Sequence, residues 1–156
     1  MKNNKCIYFL MSLAVLCASF GISAHAEGEK SLCDKYGAAL PKVIDDFVAK
    51  TAPNPKVDFF RSGKFKDADV PKLKEHLVNF VSDAIGCPGK KYKGRSMKAI
   101  HKGNNKNKSM KITAAEFSAI AADLQAVLEQ DGVTPEDVKT IMAVVGGTAK
   151  DIIDVK

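Results

Sequence analysis

The sequence predicts an all-α, single-domain protein, and three observations carry that prediction. Apolar residues recur at three- and four-residue steps in every long segment, no convincing pair of strands can be found, and two segments open with full helix-capping signatures. A chain of 156 residues fits one domain. With 46% hydrophobic and 27% charged residues it is no disordered tract, and a mean hydropathy of -0.11 excludes a membrane-embedded chain.

Residues 1–26 read as a secretory signal peptide. Lys2 and Lys5 give a basic start, Ile7 to Phe20 is uncharged and apolar, and Ala24-His25-Ala26 is a small-x-small site before Glu27. The apolar run is short for a bilayer of about 30 Å, so cleavage after Ala26, with no membrane anchor left, is the expectation. The mature domain is then 27–156, exported to the periplasm or secreted. It keeps two cysteines, Cys33 and Cys87, which an oxidising compartment allows to pair; spacing alone leaves both the disulfide and two free thiols open.

Along the mature chain, Leu40, Val43, Ile44, Phe47 and Val48 form one helical stripe that ends before the Pro53-Asn54-Pro55 turn. Phe59 and Phe60 follow in a connecting segment. Asp69-Val70-Pro71 starts a second helix with Leu73, Leu77, Phe80, Val81, Ala84 and Ile85 on one face, stopped by Gly86-Cys87-Pro88-Gly89. An irregular bridge follows, with a short helical turn from Ser96 to His101 inside it. Lys90 to Lys111 holds nine Lys or Arg and no acid. Thr113 and Glu116 make a capping box for a helix carrying Phe117, Ile120, Leu124, Val127 and Leu128, which Gly132 ends. Thr134-Pro135-Glu136-Asp137 opens the last, with a cap, a proline at the first position and acids at the positive end of the dipole.

His76 and His101 are the candidates for chemistry. A neutral imidazole ligates iron, copper or zinc, and a pair facing each other across an apolar cavity suits the two axial sides of a haem iron; ordinary surface histidines are the plainer reading. The chain has no Gly-rich phosphate loop, no H-E-x-x-H and no C-x-x-C-H, so a c-type haem attachment is excluded by motif. A zinc site from Cys33, His76, Cys87 and His101 has the right ligand types but lacks close pairs. A Cys–His nucleophile pair has no spacing in its favour. The basic run has only Tyr92 interleaved with it and reads as a solvated face rather than a nucleic-acid patch.

The order of motifs resembles the group I truncated haemoglobins, the two-over-two haem globins. The likeness starts at Ser31-Leu32-Cys33-Asp34-Lys35-Tyr36-Gly37, similar to S-L-Y-x-x-L-G. It continues through Val43 to Phe47, Pro55-Lys56-Val57 with Phe59-Phe60, and Leu73 to Phe80, and is most specific over Tyr92 to His101, similar to Y-x-G-R-x-M-x-x-x-H. It implies a truncated two-over-two globin fold and non-covalent haem b. His101 would be the proximal iron ligand, Phe60 would pack on the porphyrin, and Phe47, Val48, Leu73, Leu77 and Met97 would line the pocket. Arg95 or Tyr92 would meet the propionates.

The departures bear on mechanism. Where many members carry a distal Tyr and Gln, this chain has Val48, Leu73 and Leu77, so bound oxygen loses roughly 1–3 kcal/mol per missing hydrogen bond. Fast oxygen release and weak discrimination against carbon monoxide are expected. His76 falls where some cyanobacterial members carry a sixth iron ligand; it either closes the site or swings out towards a propionate. Gly37-Ala38 replaces a Gly-Gly pair, Cys87 replaces a second Gly, and the loop from Lys102 to Lys111 is longer than in close relatives. The function implied is reversible binding of O2, CO or NO. The rivals are nitric oxide dioxygenase or weak peroxidase activity, and a bis-histidyl protein that transfers electrons with a donor or carries haem.

Overall fold

The structure is a computed structural model that describes residues 30–103 and 108–154; the expected signal segment lies outside the described residues, as does the middle of the loop from Lys102 to Lys111. Helix α1, Leu32–Tyr36, is too short to show an apolar stripe and exists because of its cap. The Ser31 hydroxyl accepts the Asp34 amide at 3.1 Å while the Asp34 carboxylate accepts the Ser31 N–H at 3.2 Å. One 3-10 turn, Gly37–Ala39, leads into α2, Leu40–Thr51. The expected stripe is real: Leu40, Val43, Ile44 and Val48 are all buried to 5% exposure or less. Each such side chain contributes about 1.5–3 kcal/mol of burial.

After α2 the Asn54 side chain caps its own turn by accepting the Lys56 amide, and donates to Asp123 at 2.7 Å. The following connection carries three edge- or face-packed rings, Phe59, Phe60 and Phe65, with centroids 5.1 to 6.2 Å apart. A 3-10 turn, Asp67–Asp69, enters α3, Val70–Ala84, at Pro71. Then comes the irregular bridge, pinned to α3 where the Asp83 carboxylate accepts the Tyr92 amide at 3.0 Å.

Helix α4, Met97–His101, is the single turn expected inside the bridge. Helices α5, Ala114–Gln130, and α6, Pro135–Gly147, begin at the two predicted caps, Thr113 and Thr134. A last turn, α7, Ala149–Ile152, had no periodic signal in sequence and packs against α4. The described residues form no β-sheet, and none of their helices is long and apolar enough to cross a membrane.

Helix α2 packs on α3 and α5, and α5 on α6, giving two helix pairs around one core. That core is Val43 with Val127, Leu128, Val133 and Val138, and Tyr36, Phe47, Leu124, Ile141 and Met142 lean on it. A disulfide between Cys33 and Cys87, with Cα atoms 5.1 Å apart, ties α1 to the end of α3. The pairing that the sequence left open is therefore made.

Candidate functional site

His101 ends α4, and the geometry of that turn fixes its chemistry. The Ser96 hydroxyl accepts the Ala99 amide, starting the helix at Met97, and one turn later the His101 ring returns to the Met97 carbonyl, 2.9 Å from Nδ1. A carbonyl only accepts, so Nδ1 carries the hydrogen. Burial holds the imidazole pKa below its ordinary value, and the Arg61 charge pushes the same way, against the Met97 carbonyl. The ring is thus neutral near pH 7 with a free lone pair on Nε2, the form that binds a metal and the tautomer a second partner should fix.

The rest of the predicted set takes up two positions. Val48 is buried on α2, beside Phe47, which packs against the core. Leu73 and Leu77 on α3, Phe60 in the connection and Met97 on α4 are all half-buried. His76 is exposed, and its ring meets Tyr92 edge-on, centroids 6.3 Å apart at 81°. Tyr92 also packs on Phe80 at 5.4 Å. A Cβ on Gly94 would stand 2.0 Å from the Tyr92 hydroxyl oxygen, so the glycine of the Y-x-G-R block makes room for the phenol. Arg95 is exposed and faces a different place, a cleft it shares with Lys56, Lys64 and Arg61.

No local pattern in the chain points to Arg61. Its guanidinium reaches across 55 residues to the Glu116 carboxylate at 2.7 Å and donates to the Met110 carbonyl at 3.3 Å. Met110 in turn donates its amide to the His101 carbonyl at 2.8 Å, so Arg61 braces the end of α4 through one intermediate residue. Burial alone would raise the pKa of Glu116, but the amides of Thr113 and Asp58 and the Arg61 guanidinium bring it below the ordinary value. The signal was half visible: a capping box uses one carboxylate oxygen of Glu116 and leaves the other for a distant cation.

The disulfide removes two of the sequence's weaker readings. Neither Cys33 nor Cys87 is a thiolate, so the four-residue zinc site and the Cys–His nucleophile are both ruled out, and no group of three potential ligands lies together among the described residues. What remains fits haem. None of the six described phenylalanines is fully buried, and the closed core is built of valine, leucine and isoleucine instead. Large apolar side chains on α3, α4 and the 55–66 connection are left half-buried, and α4 also carries one neutral imidazole with a free lone pair.

A family model for bacterial-like globins matches residues 31–154, nearly all of the described chain. The chain belongs to that family of haem globins. Within it the group 1 truncated haemoglobins are the kin: the one named GlbN from a Synechocystis strain is 32% identical, covering 80% of this chain and 98% of its own. A second, from Chlamydomonas moewusii, is 29% identical over 80% of this chain and 68% of its own. Among solved structures, the 2/2 hemoglobin of a Synechococcus strain, in the cyanomet state with covalently attached heme, has a TM-score of 0.67 at 27% identity, covering 80% and 98%. An Fe(III) variant of the truncated hemoglobin from Tetrahymena pyriformis has the same values. The fold is the two-over-two globin fold, and the cofactor is haem with its iron.

Proposed function

We propose that the chain is an exported haem b protein that reversibly binds oxygen or another diatomic gas, with His101 as the proximal iron ligand. The observation that carries this is the His101–Met97 hydrogen bond, which leaves Nε2 unprotonated and ties the ring to the preceding turn of α4. Haem, when bound, supplies an iron whose sixth position takes a small gas. The chain's own residues do the rest. His101 donates the lone pair; Phe47, Phe60, Leu73, Leu77 and Met97 exclude water from the faces; Tyr92 is the group available to the propionates, Arg95 facing the basic cleft instead. Val48, Leu73 and Leu77 bring no hydrogen-bond donor to the gas, which supports fast release over long retention.

We take the haem as non-covalent: thioether attachment has no free cysteine among the described residues, because Cys33 and Cys87 are paired, and no C-x-x-C-H is present. That same disulfide supports export, because such bonds persist in oxidising compartments. Mass spectrometry of the protein recovered outside the cytoplasm checks this; the expected N-terminus is Glu27.

The decisive test of the site is reconstitution with haem. Wild type gives a Soret band and a carbon monoxide complex; His101→Gly gives neither in buffer and regains both with millimolar imidazole, about the concentration a weak cavity ligand requires. A Soret band in His101→Gly equal to wild type without imidazole overturns the assignment.

A further inference from the structure

Beside α4 lies an open cleft of about 1290 Å³ between the 55–65 connection, Arg95 and the strand of residues that leads into α5. Six cationic side chains line it, Lys56, Arg61, Lys64, Arg95, Lys108 and Lys111, against two carboxylates, Asp58 and Glu116. Both carboxylates are engaged: Glu116 with Arg61, and Asp58 with the amide and hydroxyl of Ser62. The other five cations are exposed and make no ion pair among the described residues. None of Phe47, Val48, Phe60, Leu73, Leu77, Met97 and His101 lines the cleft, although Phe65 and Ile100 do, so it borders the apolar side chains of the 55–66 connection and α4.

A second observation marks the same place. Arg61, Ser62 and Lys111 are the only non-glycine residues of the described chain with left-handed φ, at 48°, 55° and 53°, and all three line this cleft. Such conformations are costly and persist where the surroundings over-determine them, typically at functional positions. Here the over-determination is visible: Asp58 holds the Ser62 amide at 2.9 Å, and Arg61 spans the walls to Glu116 and Met110. The amides of residues 62 to 65 all have partners, so the loop is no backbone nest for a small anion. A preformed, wide, lysine-rimmed concavity larger than the roughly 300–1,000 Å³ of small-molecule sites suits an acidic protein surface.

We propose that this cleft is the docking surface for an acidic one-electron donor protein that reduces the haem iron, an inference that rests on the haem reading above. Its position gives the reason. Ile100 in the wall is the chain neighbour of His101, and Met110 in the wall donates to the His101 carbonyl, so a docked donor stands one residue from the residue assigned to the iron. In the step, one electron leaves the donor's reduced centre and ferric iron becomes ferrous; no bond breaks and no proton moves.

The test uses the haem-loaded protein and an acidic plant-type [2Fe–2S] ferredoxin as the probe. The Soret band of each variant is recorded first, so that failure of the haem reading shows as a missing band, whereas failure of docking shows as an intact band with unaltered reduction. Binding of oxidised ferredoxin is measured by calorimetry, and reduction by reduced ferredoxin and by dithionite is timed separately. Lys64→Glu/Lys108→Glu is compared with Lys50→Glu/Lys139→Glu, which changes the net charge equally elsewhere. The cleft variant should lose about tenfold in ferredoxin binding and reduction rate, the other pair less than about twofold, with dithionite rates unchanged and the wild-type rate falling as salt rises. Equal losses in both pairs, no loss in either, or wild type that binds inorganic triphosphate but not ferredoxin each overturn the proposal.

Discussion

A Cβ placed on Gly37 would stand 2.9 Å from the Cys33 sulfur and 3.3 Å from that of Cys87, so the backbone at Gly37 packs directly on the disulfide. Gly37 has an ordinary helical φ of -55°, so it is glycine for space and not for conformation. One departure from the pattern the resemblance implies, a cysteine in place of a glycine after α3, is part of this contact. Gly37→Ala should therefore destabilise the oxidised protein by about 1–2 kcal/mol through overpacking. In a Cys33→Ala/Cys87→Ala background the same change should stabilise by about 0.5–1 kcal/mol, because alanine is the better residue at a helical φ. Urea unfolding of the four proteins reads the reversal of sign, and the same sign in both backgrounds would sink the argument.

The disulfide itself joins residues 54 apart. Closing a loop of that size in the unfolded chain is worth about 4 kcal/mol on the chain-entropy account. Cys33→Ala/Cys87→Ala should lose most of that in urea unfolding, and reduction with dithiothreitol should lower the wild-type midpoint alone. A midpoint shift of less than about 1 kcal/mol equivalent would mean that the native α1–α3 contact, and not loop closure, sets the stability there.

Asp137 is the one buried carboxylate among the described residues, at 7% exposure, and it joins α1 to the start of α6. It accepts from the Tyr36 hydroxyl at 2.7 Å, from the Thr134 hydroxyl at 2.9 Å and from Lys35 at 3.2 Å. Those bonds, Tyr36 first, hold its pKa below the ordinary carboxylate value. A depressed folded-state pKa gives stability that is fully present above the unfolded pKa and is lost as pH falls through the folded one. Acidification should therefore unfold the protein progressively below the ordinary carboxylate range. Tyr36→Phe should lower stability at pH 7, raise the Asp137 pKa in a carboxyl NMR titration, and reduce the loss between pH 7 and pH 3. An unchanged Asp137 titration would show that Lys35 or Thr134 governs it instead.

Sequence reached furthest where structure is set locally. The Thr113–Glu116 and Thr134–Asp137 caps named two helix starts to the residue because each cap is closed within one turn. Helices α1 and α7 were missed for the opposite reason: each is a single turn with no apolar period. The Ser31–Asp34 box was there to be read, but a five-residue helix rests on its cap alone. At the site, a motif pointed to His101, yet neither its hydrogen-bonded tautomer nor the Arg61–Glu116 brace is written in any local pattern. The cleft shows the same limit. Sequence showed a basic run from Lys90 to Lys111, whereas the surface is made by only part of that run together with Lys56, Arg61 and Lys64 from another segment.

His76 is the residue whose role depends most on position. Its ring is exposed and rests edge-on against Tyr92, which is itself backed by Phe80 and seated over Gly94. Edge-to-face pairs of this kind are worth about 0.5–1.5 kcal/mol, enough to bias a side chain between two placements by up to about tenfold. With the imidazole held outside, the reconstituted ferrous protein should be five-coordinate and should take carbon monoxide in a single fast phase. Tyr92→Ala removes the outer contact and should shift part of the ferrous protein to a six-coordinate low-spin spectrum, with a slow phase in carbon monoxide binding. Adding His76→Ala to Tyr92→Ala should abolish both changes, which separates ligation by His76 from general loosening of the bridge. Wild type that is already six-coordinate, and five-coordinate only after His76→Ala, would place His76 on the iron and leave Tyr92 without this part in positioning it.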